Sequence, residues 1–123
     1  MGQFNRVIAI LDDEEHYRRA LSRLLKAHGY DVASFSAGAE LIAEMAQRAF
    51  DCVLLDLHMP GMTGFDVLTW LRGQPAPPPV IVITSHDDPD FEKRAFDLHA
   101  FEYQLKPVSS PILLEAIKRA CAR

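Results

Sequence analysis

The apolar residues of this chain fall into two kinds of run that alternate from one end to the other. Val7 to Leu11 is short, β-branched and wholly apolar, the mark of a strand buried on both faces. Asp12 and Asp13 end it. The spacing then changes, and Tyr17, Leu21, Leu24, Leu25 and His28 recur at helical steps, which predicts a helix from Glu15 to His28. Glu14 and Glu15 open it and Lys26 stands near its end, as the helix dipole favours, and Gly29 stops it. Tyr30 to Phe35 reads as a second strand. Ser36 is placed to cap a helix running to about Ala49, with Leu41, Ile42 and Met45 inward. Cys52 to Leu57 is a third apolar run, broken only by Asp56.

Turn-forming residues from Met59 to Gly64 lead into a helix from Phe65 to Arg72, with Leu68 and Leu71 inward. The proline-rich stretch Gly73 to Pro79 cannot continue it. Val80 to Thr84 is a fourth strand, Asp87 to Ala100 a helix with Pro89 in its first turn, and Phe101 to Leu105 a fifth strand. Ser109 or Ser110 caps the last helix, in which Leu113, Leu114 and Ile117 face inward. Strands alternating with helices on short loops predict an α/β fold, a doubly wound parallel sheet with helices on both faces. Residues 1–123 read as a single domain. In such sheets ligands bind beyond the carboxyl ends of the strands.

Composition narrows the function classes. The 123 residues are 49% hydrophobic and 24% charged, ordinary values for a globular domain. A net charge of -4 and the lack of a basic run speak against direct nucleic-acid contact. No apolar stretch reaches membrane-spanning length, and Met1 to Arg6 leads into the first strand without a signal-peptide pattern. Cys52 and Cys121 are far apart in sequence and lack metal-type spacing, which fits a reducing cytoplasm.

The polar residues at the strand ends carry the chemistry. Asp12 and Asp13 follow the first strand, Asp56 ends the third, Thr84 and Ser85 end the fourth, and Lys106 follows the fifth. The topology brings them to one crevice. Carboxylates so close repel one another, and a hard divalent cation such as Mg2+ relieves that cost. A metal, an ammonium and a hydroxyl together suit phosphoryl transfer. The nucleophile is then a carboxylate, because no serine, cysteine or histidine is better placed.

Asp12-Asp13, Asp56 within LLDLHMPGMTG, Thr84-Ser85 and Lys106-Pro107, in this order and spacing, resemble bacterial response-regulator receiver domains from Val7 to about Ala122. The resemblance implies the flavodoxin-like (βα)5 fold, with strand order 2-1-3-4-5. It implies that Asp56 accepts a phosphoryl group from a sensor histidine kinase or phosphotransfer protein. Asp13, Asp56 and the His58 carbonyl would bind Mg2+ directly, and Asp12 through water. Thr84 and Lys106 would each meet a phosphoryl oxygen, and Tyr103 would be the switch aromatic that turns inward with Thr84. The Lys106-Pro107 bond is typically cis in such families. The protein would be a cytoplasmic signalling switch that takes part in its own phosphoryl transfer and dephosphorylation, and not an enzyme acting on other substrates.

Other readings stay open. An aspartate-nucleophile hydrolase shares the chemistry, but it needs an acid two residues after the nucleophile, where His58 stands. A binding module that keeps the fold without phosphorylation is the second rival. The chain reads equally as a stand-alone receiver or as part of a longer regulator with an output domain. Phe91, Ala95 and Leu98 form the apolar stripe of their helix, and Phe96 points away from it. Phe96 thus either packs on a neighbouring helix or anchors a partner, or a second copy, on the face formed by the fourth helix, fifth strand and fifth helix. Phe101, Tyr103 and Leu105 alternate and can be plain core. His99 stands where many receivers have glycine, and Gln104 where a strand residue is usually apolar. His58 and His86, two residues after Asp56 and Thr84, either lie free in solvent or tune phosphate lifetime.

Overall fold

Neighbouring residues of the central strands face opposite sides of one sheet, and this divides the core in two. The computed structural model describes residues 5–122; positions 1–4 and 123, at the ends of the expected domain and including the start of the Met1 to Arg6 lead-in, lie outside the described residues. Strands β1 (Val7–Leu11), β2 (Asp31–Phe35), β3 (Cys52–Leu55), β4 (Val80–Thr84) and β5 (Glu102–Leu105) alternate with helices α1 (Glu15–Ala27), α2 (Gly38–Met45), α3 (Gly64–Arg72), α4 (Pro89–Asp97) and α5 (Ser110–Cys121). The sheet is parallel with order β2-β1-β3-β4-β5, as the sequence led one to expect. Ile8, Ile10, Cys52, Leu54, Ile81 and Ile83 pack against Leu21 and Leu25 of α1 and Leu113 and Ile117 of α5. Ala9, Leu11, Val53, Leu55, Val80 and Val82 face Leu41 of α2, Leu68 and Leu71 of α3 and Ala95 of α4. Residues one apart thus serve different cores, as the two-residue period of a strand requires.

Several element ends differ from the sequence reading, each for a local reason. α2 starts after Ala37 and stops at Met45, well short of Ala49. Ser36 is no cap: its hydroxyl and amide both donate to Glu40 Oε1. β3 ends at Leu55, so Asp56 and Leu57 lie beyond the strand. α4 is shorter than Asp87 to Ala100, because the Asp88 side chain accepts the Asp90 amide as N-cap and His99 takes a left-handed φ of +70° that no helix continues. Of the two serines before α5, Ser109 is the cap, accepting from the Ile112 amide. His28 leaves the apolar stripe of α1: it is exposed at the helix end, its Nδ1 within 3.0 Å of the Leu24 carbonyl.

β5 is the least regular strand. Phe101 and Tyr103 pack into opposite cores, because Phe101 precedes the strand and escapes its alternation. Leu105 is exposed, while Gln104 is buried. Gln104 Nε2 donates to Glu102 Oε2 at 2.6 Å, and its buried Oε1 has no partner. Among the described residues no helix is long and apolar enough to cross a membrane.

Candidate functional site

The acidic residues and the lysine of the expected site sit just past strand ends, where the backbone leaves the sheet, and Thr84 is the last residue of β4. Asp12 follows β1 and stays in register, its amide donating to the Phe35 carbonyl at 3.2 Å. Its Oδ1 accepts the Glu14 amide at 2.9 Å, and its own carbonyl accepts from Arg18 Nη1 at 2.7 Å. Asp56 follows β3, anchored by its amide to the Leu11 carbonyl at 2.9 Å, and its Oδ1 accepts the His58 amide at 3.2 Å. The turn after it lets α3 come very close. A Cβ on Gly64 would lie 2.5 Å from the Asp56 carbonyl oxygen and 2.6 Å from Leu57 Cα, so only glycine fits. Thr63 then caps α3 through a reciprocal pair with Asp66.

One carboxylate oxygen from each of Asp12, Asp13 and Asp56 lies within 4.8 Å of the others. Lys106 reaches in from β5, its amide held by the Thr84 carbonyl at 2.8 Å and its bond to Pro107 cis. Lys106 Nζ stands 2.7 Å from Asp12 Oδ2, 3.4 Å from Glu14 Oε1 and 3.6 Å from Asp56 Oδ2, and 4.4 Å from the centre of the Tyr17 ring. Glu14 and Tyr17 are the members that the sequence reading assigned only to the helix start and its apolar stripe. The run Asp12-Asp13-Glu14 was the available signal for the first; the second depends on how α1 lies under Lys106, which no spacing reveals.

The charges do not balance. Four carboxylates stand against one ammonium. Burial pushes the Asp56 carboxyl above the ordinary carboxylate range; the His58 amide and Lys106 oppose this, while Asp12 and Asp13 reinforce it. For Lys106, burial alone would lower the value, but the hydrogen bond to Asp12 and the charges of Asp12 and Asp56 outweigh it and hold the ammonium above the usual lysine value. An excess of hard oxygen donors beside a destabilised carboxylate is the donor set of a divalent cation, so the residues fit a metal.

The remaining residues place as follows. Thr84 is fully buried at the end of β4, where its Oγ1 accepts the His86 amide at 3.3 Å, and Ser85 beside it is exposed. Tyr103 is half-buried, packs on the α4 side of the sheet and donates its hydroxyl to the His86 carbonyl at 2.8 Å. Thr84 and Tyr103 therefore meet at the same loop residue. The rings of His58 and His86 lie 4.6 Å apart and contact each other, with His58 exposed and His86 half-buried. Phe96 is 42% exposed, which decides against packing on a neighbouring helix, and Leu105 and Ile112 are exposed too. Cys52 and Cys121 are free and buried.

The family model for the response regulator receiver domain matches residues 8–118. The chain is 41% identical over 116 residues to the positive alginate biosynthesis regulatory protein of Pseudomonas aeruginosa, covering 92% of this chain and 46% of that protein. It is 36% identical over 117 residues to the transcriptional regulatory protein KdpE of Mycobacterium tuberculosis, covering 95% of this chain and 51% of that one. The chain thus spans about half the length of these curated relatives. Among solved structures, a response regulator receiver domain protein from Clostridium thermocellum superposes with a TM-score of 0.89 at 31% identity, over 96% of this chain and 95% of that one. The chemotaxis protein CheY4 of Vibrio cholerae gives a TM-score of 0.89 at 26% identity, over 95% of this chain and 99% of that one. With its sheet order and matched span, the chain belongs to the response regulator receiver domain family, the signalling switches of two-component systems.

Proposed function

We propose that Asp56 is the phosphoryl acceptor of this receiver. The observation that carries the reading is the convergence of Asp12, Asp13 and Asp56 on one point with the Lys106 ammonium beside them. An Asp56 oxygen attacks the phosphorus of a phosphohistidine on a sensor histidine kinase or phosphotransfer protein. The oxygen–phosphorus bond forms, the phosphorus–nitrogen bond breaks, and the imidazole leaves with a proton. Lys106 holds the charge of the transferring group, and Thr84 donates to a phosphoryl oxygen once its hydroxyl turns from the loop. Asp13, Asp56 and the His58 carbonyl would hold Mg2+ directly and Asp12 would do so through water; Mg2+ would supply positive charge against the phosphoryl oxygens. In dephosphorylation, His58 and His86 set how water reaches the acyl phosphate, which the decay rate in a His58→Ala, His86→Ala double variant measures; an unchanged rate removes that role.

Phosphorylation adds charge and acceptor oxygens at a site tied to the surface through one loop. Thr84 and Tyr103 share His86 as partner, so a moving Thr84 bears on the tyrosine. The surface it biases is the α4–β5–α5 face, where Phe96, Leu105 and Ile112 stand exposed as anchors for an output domain or a second copy. Residues 1–123 form one receiver domain that works in the cytoplasm, without touching nucleic acid or membrane itself.

Incubation with Mg2+ and acetyl phosphate, followed by intact-mass measurement, tests the reading. One added phosphoryl group, absent in Asp56→Ala, is expected. Turnover of unrelated phosphate esters would favour a hydrolase. No adduct under any condition would favour a binding module that works without phosphorylation.

A further inference from the structure

The outer face of α1 concentrates positive charge in a chain whose net charge is -4. Arg18, Arg19, Arg23 and Lys26, with the hydroxyls of Ser22 and of Ser34 on β2, line a groove of about 490 Å³ between α1 and the edge strand of the sheet. Glu15 is the acid among the lining residues. Its pairing with Arg19 is 3.9 Å long between two well-exposed side chains, so it cancels little of the charge. Arg18 is fixed at one end of the groove by its bond to the Asp12 carbonyl, so its guanidinium loses little freedom when an anion arrives. Arg18 to Lys26 covers roughly 12 Å of helix axis, with the cations on successive turns of one side.

From this charge pattern we infer that the α1–β2 groove docks an acidic polypeptide segment of a partner protein, with carboxylates on successive turns to match the cations and backbone or side-chain donors to meet Ser22, Ser34 and Glu15. The net negative charge of the whole chain opposes a long polyanion, whereas a short run of carboxylates meets only the local positive field. Nucleic acid and anionic bilayers are therefore the poorer fits. The surface lies apart from the α4–β5–α5 face and needs no phosphorylation to form.

The test is fluorescence anisotropy with a labelled peptide of roughly 14 residues carrying glutamates at four-residue spacing. The same peptide with glutamine for glutamate, an oligothymidylate of similar length and phosphatidylglycerol vesicles run beside it. The glutamate peptide is expected to bind, to weaken with added salt, and to lose at least about tenfold in affinity in an Arg23→Glu, Lys26→Glu variant. A Lys93→Glu, Lys118→Glu variant, reversed on α4 and α5, keeps most of the binding. Arg23→Gln, Lys26→Gln gives the same reading if the reversed pair disturbs folding. No binding of the glutamate peptide, equal binding of the glutamine peptide, equal loss in both reversal variants, or tighter binding of oligonucleotide or vesicles would overturn the inference.

Discussion

Lys106 Nζ lies 2.7 Å from Asp12 Oδ2, joining two residues 94 positions apart across the end of the sheet. The contact is closer than that of Lys106 to Asp56. In this state Lys106 is chiefly the partner of Asp12, and it must share its charge with Asp56 for the proposed chemistry.

Lys106→Met leaves Asp12, Glu14 and Asp56 without their cation. In metal-free buffer at neutral pH, urea denaturation should show a loss of about 1–3 kcal/mol, less than for a fully buried pair because the site opens to solvent. The lysine is held above its ordinary value, so its contribution is fully present below the unfolded lysine pKa and fades as pH rises through the folded one. The gap between wild type and variant should stay constant around neutrality, close in strong alkali as the ammonium is lost, and shrink in acid as its carboxylate partners are protonated.

Asp56→Asn should stabilise the metal-free protein, by on the order of 1 kcal/mol. The Asp56 carboxyl is raised on folding, so its charge disfavours the folded state above that raised value and has no effect below the unfolded one, where both states are protonated. Thermal melts should show the gain at neutral pH and its disappearance in acid. Added Mg2+ should raise the melting temperature of wild type more than that of the variant.

Gly64→Ala should cost about 1–3 kcal/mol, the usual size for forcing a methyl into closed backbone. The new Cβ would meet the Asp56 carbonyl oxygen and Leu57 Cα, both too near for any carbon, and neither is a flexible side-chain end. Denaturation midpoints would show the loss, and reduced phosphoryl incorporation would show that the Asp56 turn had moved.

His99→Gly should be stabilising by about 0.5–1 kcal/mol, because His99 holds a φ of +70° and glycine adopts it freely, less what glycine loses in the unfolded chain. A higher urea midpoint with an unchanged slope would bear this out, and an unchanged midpoint would mean the histidine makes a compensating contact.

The sequence carried the sheet and the convergence of polar residues on one end, because both follow from strand periodicity and topology. Val7–Leu11 and Val80–Thr84 were readable as buried strands, and Asp12, Asp13, Asp56, Thr84 and Lys106 follow from the ends of such strands. Less visible was what depends on a side chain choosing among partners. Ser36 bonds to Glu40 instead of capping α2, and Tyr17 lies against Lys106 instead of serving only as core. Tyr103 donates to His86 across 17 positions of sequence. The last two are contacts between segments distant in sequence, made as the elements dock, and no local pattern encodes them. His99 was legible as an oddity, and its positive φ supplies the reason glycine suits that position.

The central claim is that Asp56, among the clustered carboxylates, takes the phosphoryl group. Borohydride reduction after treatment with acetyl phosphate and Mg2+ converts an aspartyl phosphate to homoserine, and peptide mass spectrometry locates it. The account predicts homoserine at position 56 and at no other carboxylate. Homoserine at Asp12 or Asp13, or its persistence elsewhere in Asp56→Asn, would contradict it.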